Sequence, residues 1–231
     1  GYGGEEAGPL RVDPALQTAA QVGDEPLLLA RMATTWVARD RAAGARAAIA
    51  AGAEILVMDD GFQNNQLVRN LSVLAVDGGY GFGNGRIMPA GPLRENLRRG
   101  IARADGVVLI GNDGTGIGRW LEHVTRVHRA RLVPVPGPAT DEFADRAILA
   151  FAGIARPEKF YVTLRGLGCR LVATRNFPDH HRYTADEIMA LVEQAAAENA
   201  VPVTTAKDAM RLPADARAMV KTLDIELEFY Q

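Results

Sequence analysis

Short continuous apolar runs alternate along the chain with stretches in which apolar residues recur every three or four positions. This is the pattern of repeated strand–helix units and a mainly parallel sheet. Thr34–Arg39 reads as a strand and Ala42–Ala51 as the Ala-rich helix after it. Ile55-Leu56-Val57-Met58, Leu71–Val76 and Gly106–Ile110 are short apolar runs of the kind a strand covered on both faces requires. Leu93, Leu97 and Ile101 predict a helix opened by Pro92, and Trp120, Val124 and Val127 another, with Arg119, Glu122, Arg126 and Arg129 outside. The run 131–139 carries too much proline for a central strand or helix and predicts a domain boundary near residue 140. Beyond it the alternation restarts: strand Ala147–Ala152, helix Pro157–Leu167, strand Arg170–Thr174, helix Ala185–Asn199, strand Val201–Thr205. Thr184 and Glu187 form a capping box for the second of these helices. The expectation is an α/β protein of two domains, 1–140 and a smaller one at 141–231.

Composition narrows the class without changing it. Apolar residues at 48% and charged residues at 23% of 231 positions fit a globular chain that can bury a core. A net charge of −2 gives no electrostatic footprint for nucleic acid, and none is expected as a partner. The one cysteine, Cys169, rules out an internal disulfide and reads as a small core residue. No apolar run reaches the ~18 residues that spanning a bilayer needs. The chain opens on Gly1-Tyr2-Gly3-Gly4, which reads like the middle of a loop, so truncation at the N-terminus is expected.

Four segments carry candidate chemistry. Asp59-Asp60-Gly61-Phe62-Gln63 follows an apolar run, where a strand-end carboxylate can hold Mg²⁺ against nucleotide phosphates; by itself the pattern is weak evidence, and a helix cap or a turn is the plainer reading. The loop from Gly83 to Pro92 delivers Arg94 and Glu95 to a helix start, and an Arg there hints at a bound anion. Asp24, between Gly23 and Pro26, suits a helix N-cap. Phe177-Pro178-Asp179-His180-His181 lies between a strand and a capped helix. Adjacent histidines point apart and rarely share a metal, but one held by a carboxylate is a suitable general base. A phosphate loop G-x-x-x-x-G-K-[ST] is not found: Lys159, Lys207 and Lys221 follow Glu158, Ala206 and Val220.

Together these pieces resemble the tetraacyldisaccharide 4′-kinases (lipid A 4′-kinases). The matching blocks, in order, are Gly1–Gly4, Val22–Pro26, Asp59–Gln63, Gly83–Gly85, Pro89–Glu95, Phe177–His181 and Thr204–Asp208. The resemblance implies a P-loop-type doubly wound sheet with a second, smaller α/β domain. It implies transfer of the γ-phosphate of ATP, with Mg²⁺, to the 4′-hydroxyl of a tetraacylated glucosamine disaccharide 1-phosphate in lipid A biosynthesis. It also implies a monomer working at the membrane surface, on the cytoplasmic face of the bacterial inner membrane. The family's Walker A motif and hydrophobic anchor would lie upstream of Gly1, so this stretch by itself is expected to be inactive and poorly soluble. By position, Asp24 matches the catalytic aspartate and His180 its partner, brought together by domain closure. Asp59, Asp60 and Glu95 match the metal group. Gln63, Arg94 and, less directly, Arg41 match nucleotide contacts. Ala206 departs from the family, which often has Glu there. Arg98, Arg99 and Arg103 join Arg94 on one helix and would meet anionic headgroups or a solvated face. The rival readings are a metal-dependent sugar-nucleotide glycosyltransferase and a non-catalytic module without its phosphate loop.

Overall fold

The computed structural model describes residues 3–230 and is an α/β protein with parallel sheets. The chain divides into two compact units, Gly1–Leu56 with Pro134–Ile225, and Val57–Val133 with Glu226–Gln231. This differs from a sequential division at residue 140, because the N-terminal segment packs with the C-terminal half. Val12, Val22, Leu27 and Val37 share one apolar cluster with Ala209 and Met210, and burying that surface is what ties the two segments together.

The first unit is built on a four-stranded parallel sheet in the order Arg170–Asn176, Ala147–Ala152, Val201–Thr205, Lys221–Leu223. The strand Ala147–Ala152 is buried at all six positions, as its unbroken apolar run requires with sheet neighbours on both sides and helices on both faces. Period-two alternation divides it. Ile148, Ala150 and Ala152 face a cluster with Phe160, Tyr161 and Leu164 of the helix Pro157–Gly166. Leu149 and Phe151 face Ile188, Leu191 and Ala195 of the helix Ala185–Ala197. That helix starts where its capping box predicts, with Thr184 and Glu187 exchanging bonds. A small antiparallel pair, Leu10–Arg11 with Trp36–Val37, stands apart from the main sheet.

The second unit carries a sheet ordered Ile225–Phe229, Val127–Pro134, Gly106–Ile110, Val73–Asp77. The last three strands run parallel over a core of Val76, Ile101, Val107, Leu109 and Leu121.

Four expectations fail here for local reasons. The helix expected to open at Pro92 starts only at Leu97, because Asn96 caps it through the Arg99 N–H, so Leu93, Arg94 and Glu95 precede it. Thr125 is extended and ends the helix Ile117–Val124, so Val127 opens a strand instead of closing a helix. That strand runs into the proline-rich stretch and ends at Pro134, and its pairing with Gly106–Ile110 involves only Val127–Ala130. Ile55–Met58 forms no strand: Ile55 and Val57 are 83% and 92% exposed, because among the described residues no strand takes up the backbone groups of this apolar run.

Candidate active site

Asp24 opens the helix Asp24–Ala30, but it is not the cap. Gly23 holds that position at φ 94°, where glycine is at ease. Freed from capping, the Asp24 side chain turns inward and is 3% exposed. Its Oδ1 accepts from the Glu25 N–H at 2.9 Å. Its Oδ2 lies 3.1 Å from His180 Nδ1 and 3.4 Å from Arg211 Nε. A buried carboxylate must be paired, and here it is paired twice.

His180 sits in the loop after the strand Arg170–Asn176, with a left-handed φ of 58°. Its N–H donates to the carbonyl of Gly153 at 3.1 Å. Gly153 ends the central strand, and that same carbonyl accepts from Arg211 at 2.9 Å. A Cβ at Gly153 would come within 3.0–3.1 Å of the Pro178 carbonyl, the Tyr183 hydroxyl and Asp208 Oδ1, so glycine is needed for this close approach.

Beneath the pair lies Asp208, fully buried. It accepts from the Gly153 N–H at 3.0 Å, the Tyr183 hydroxyl at 2.8 Å and the Thr205 hydroxyl at 2.6 Å, and it also pairs with Arg211. Burial, with the nearby Asp208 charge second, holds the Tyr183 hydroxyl well above its usual range, so it remains a donor. Arg211 thus bridges Asp24 and Asp208 from a side chain only 4% exposed. Lys207, from the short helix Ala206–Ala209 after the strand Val201–Thr205, reaches Glu25 Oε1 at 3.0 Å and His180 Nε2 at 3.3 Å. A cleft of about 960 Å³ opens on the pair, lined by Asp24, His180, Leu27, Arg31, Arg182 and Arg211 among others.

His181 turns away from its neighbour, as two adjacent histidines should. Its Nε2 meets both oxygens of Glu187 at 3.1–3.2 Å, and its ring stacks on Phe177 at 4.8 Å. The Glu187 carboxyl is held below its usual range, first by the Thr184 N–H and then, against some desolvation, by His181.

The acidic turn belongs to the other compact unit. Asp60, at φ 46°, pairs with Arg94 at 3.4 Å, both side chains well exposed. Both oxygens of Glu95 are taken by Arg103 at 2.6 and 2.7 Å. Gln63 donates its amide N–H to Glu95 at 3.1 Å and offers it no oxygen. Arg103 in turn lies 4.7 Å over the Phe62 ring. Among the described residues no three His, Cys, Asp or Glu side chains form a group that could hold a metal ion. Asp60 and Glu95 are thus each paired with a guanidinium group. Arg41 is the first residue of the helix Arg41–Ala50, whose first amides are already capped by Asp40 at 2.9 and 3.0 Å.

Comparison with known proteins settles the family. A profile of the tetraacyldisaccharide-1-P 4′-kinases (LpxK) matches residues 1–231. The chain belongs to this family. It is 56% identical over 227 residues to the tetraacyldisaccharide 4′-kinase of Rhodospirillum centenum, covering 98% of this chain and 67% of that protein. It is 55% identical over 232 residues to that of Methylorubrum extorquens strain PA1, covering 99% and 70%. A crystal structure titled "apo" form LpxK from Aquifex aeolicus in complex with ATP superposes with a TM-score of 0.72 at 24% identity, covering all of this chain and 73% of the other. That likeness shows that the fold is the one the 4′-kinases use.

Reading the sequence alone, the residues that support the pair in this chain go unnoticed. Gly153, Tyr183, Asp208 and Arg211 each look ordinary in their own segment. A signal existed for two of them. Asp208 lies in the block Thr204–Asp208, and Arg211 is three residues on, where a helical turn brings an acid and a base together.

Proposed function

We infer that this chain carries out the reaction of its family, ATP-dependent phosphorylation of the 4′-hydroxyl of a tetraacylated glucosamine disaccharide 1-phosphate, a lipid A precursor. The chain is a phosphotransferase with a lipid alcohol as acceptor, and neither rival reading is favoured by relatives that all carry the kinase name. The observation that carries the mechanism is the 3.1 Å contact between Asp24 and His180, two residues far apart in sequence but adjacent in the unit.

Phosphoryl transfer asks for positioning and for removal of a proton from the attacking hydroxyl. In this reading the 4′ O–H bond breaks as the new O–P bond forms and the β–γ bridging bond opens to release ADP. The proton passes to the Asp24–His180 pair. Asp24, fixed by Arg211, is the carboxylate of a general base, a role worth about 10²–10⁴ in rate. ATP comes with Mg²⁺, and Asp59, Asp60 and Glu95 are the side chains chemically suited to it. The pairing of Asp60 with Arg94 and of Glu95 with Arg103 does not fit a cation as it stands. Arg94, Gln63 and Arg41 complete the proposed nucleotide contacts.

The acceptor is a lipid, so the site must work at a membrane surface; the cytoplasmic face of the inner membrane is the proposed location, and a monomer without nucleic-acid partners the proposed form. Among the described residues no helix is long and apolar enough to cross a membrane. Assays of ATP-dependent phosphorylation with Asp24→Ala and His180→Ala in the full-length protein test the assignment. Losses of about a hundredfold or more are expected for each; rates equal to wild type would remove both residues from the mechanism.

A further inference from the structure

The Nε2 side of His180 faces Lys207, which the mechanism above does not use. The Lys207 ammonium is held at 3.0 Å by Glu25 Oε1 and lies 3.3 Å from Nε2, while Nδ1 on the other side of the ring lies 3.1 Å from Asp24 Oδ2. We propose that Lys207 is a positioning residue for the Asp24–His180 pair. Its ammonium occupies the Nε2 lone pair and keeps the imidazole proton on Nδ1, directed at Asp24. The proposal rests on the catalytic reading of that pair.

The imidazole ring has three protonation patterns, which differ in the contacts they satisfy. A neutral ring has one donor nitrogen and one acceptor nitrogen, and an ammonium can only donate. With the proton on Nδ1, Nε2 accepts from Lys207 and Nδ1–H donates to Asp24, so both contacts are satisfied. With the proton on Nε2, two donors would meet at 3.3 Å and a lone pair would face the Asp24 carboxylate. With both nitrogens protonated, two cations would stand in contact. One group pulls the other way: Asp179 Oδ1 is 3.9 Å from Nε2 and would favour a proton there. It is beyond hydrogen-bond distance and its side chain is exposed, whereas Lys207 is in contact, so Lys207 decides. Arg211 and Glu25 are further charged neighbours among the described residues. Arg211 faces Asp24 and not the ring, and Glu25 anchors the ammonium.

The backbone makes this placement reliable. Lys207 is fixed between Ala206, directly after the strand, and Asp208, whose side chain is bound by Gly153, Tyr183, Thr205 and Arg211. The consequence is a division of labour. His180 is held as a neutral donor, and the basic lone pair of the dyad is presented by Asp24.

The test is ¹⁵N NMR of the His180 imidazole together with steady-state kinetics in the full-length protein, for Lys207→Met, Lys207→Arg and Glu25→Gln. Wild type is expected to show the Nδ1–H tautomer. Lys207→Met is expected to populate the Nε2–H form and to lower kcat about tenfold to a hundredfold, less than removing the general base itself, with both KM values within about twofold. Lys207→Arg, which keeps an N–H donor near Nε2, is expected to recover most of both signals. Glu25→Gln, which loosens the ammonium, is expected to shift the tautomer in the same direction by a smaller amount. If Lys207→Met does not fold, the other two variants carry the test. An unchanged Nδ1–H tautomer with wild-type kcat in Lys207→Met, alongside inactive Asp24→Ala and His180→Ala, overturns the proposal and leaves the catalytic pair standing. A raised KM for ATP with unchanged kcat overturns it too, by making Lys207 a nucleotide contact. Wild-type rates in Asp24→Ala and His180→Ala overturn the catalytic reading and this inference with it.

Discussion

The two compact units treat their charged residues in opposite ways. Around Asp24 the centre of the ionic network, Asp24, Asp208 and Arg211, is buried, with His180 and Lys207 half-buried beside it, and its partners come from separate elements: the helix Asp24–Ala30, the loop at His180, Gly153 just after a central strand, and the segment 205–211. Around Asp60 and Glu95 they are exposed to half-exposed and paired with arginines of the same region. Burial makes the first arrangement specific, because an unpaired charge there costs several kcal/mol. Exposure makes the second exchangeable, since a surface ion pair contributes about 0–1 kcal/mol and yields to any stronger partner. A site that must present a fixed base has been put in the first environment. Carboxylates proposed to meet a nucleotide's cation are in the second.

Substitutions that attack each side of this contrast should differ sharply in size. The largest expected stability effect is at Arg211. Arg211→Met leaves Asp24 and Asp208 buried without their shared cation, and denaturant unfolding should show a loss of about 3–5 kcal/mol; a loss under ~1 kcal/mol would mean that the network contributes little. Next is Gly153→Ala, whose added methyl meets the Pro178 carbonyl and Asp208 at 3.0–3.1 Å. A destabilisation of about 1–3 kcal/mol, measured the same way, is expected from such overpacking. On the exposed side, Arg94→Ala removes a pair with both side chains more than 60% exposed and should change stability by less than about 1 kcal/mol.

The smallest expected effect is a pH dependence. The Glu187 carboxyl is held below its usual range in the folded state. Its contribution is therefore fully present above the unfolded carboxylate range and is lost as pH falls through the lower folded value. Glu187→Gln should lower stability slightly at neutral pH and converge on wild type as pH falls below the folded value, which flattens the acid limb of a stability-against-pH curve. Because the side chain is over a third exposed, screening keeps the change small.

Much of this was legible in the sequence, and unevenly so. The strand Ala147–Ala152 and the helix capped by Thr184 and Glu187 were readable because local pattern and tertiary environment agree there. Asp24 was read as a cap from local chemistry, and tertiary packing overrode it: Gly23 takes the cap and the carboxylate goes to Arg211 and His180. His180 and Asp24 were expected to need domain closure to meet, yet they lie within one unit because the N-terminal segment packs on the C-terminal half. Nothing local in residues 1–56 reports such a long-range contact. Ile55–Met58 shows the converse, an apolar run whose strand propensity goes unfulfilled where no neighbour pairs with it. The carboxylates at 59, 60 and 95 were read from type and position, which report neither the guanidinium of Arg103 nor its grip on Glu95.

A double-mutant cycle on kcat tests most directly whether Asp24 and His180 act as one base. Groups that work as a unit are strongly non-additive, the second removal costing little once the first is gone. Asp24→Ala, His180→Ala and the double variant should therefore all fall to about the same residual rate. Losses that multiply in the double variant would show two independent roles and contradict the account.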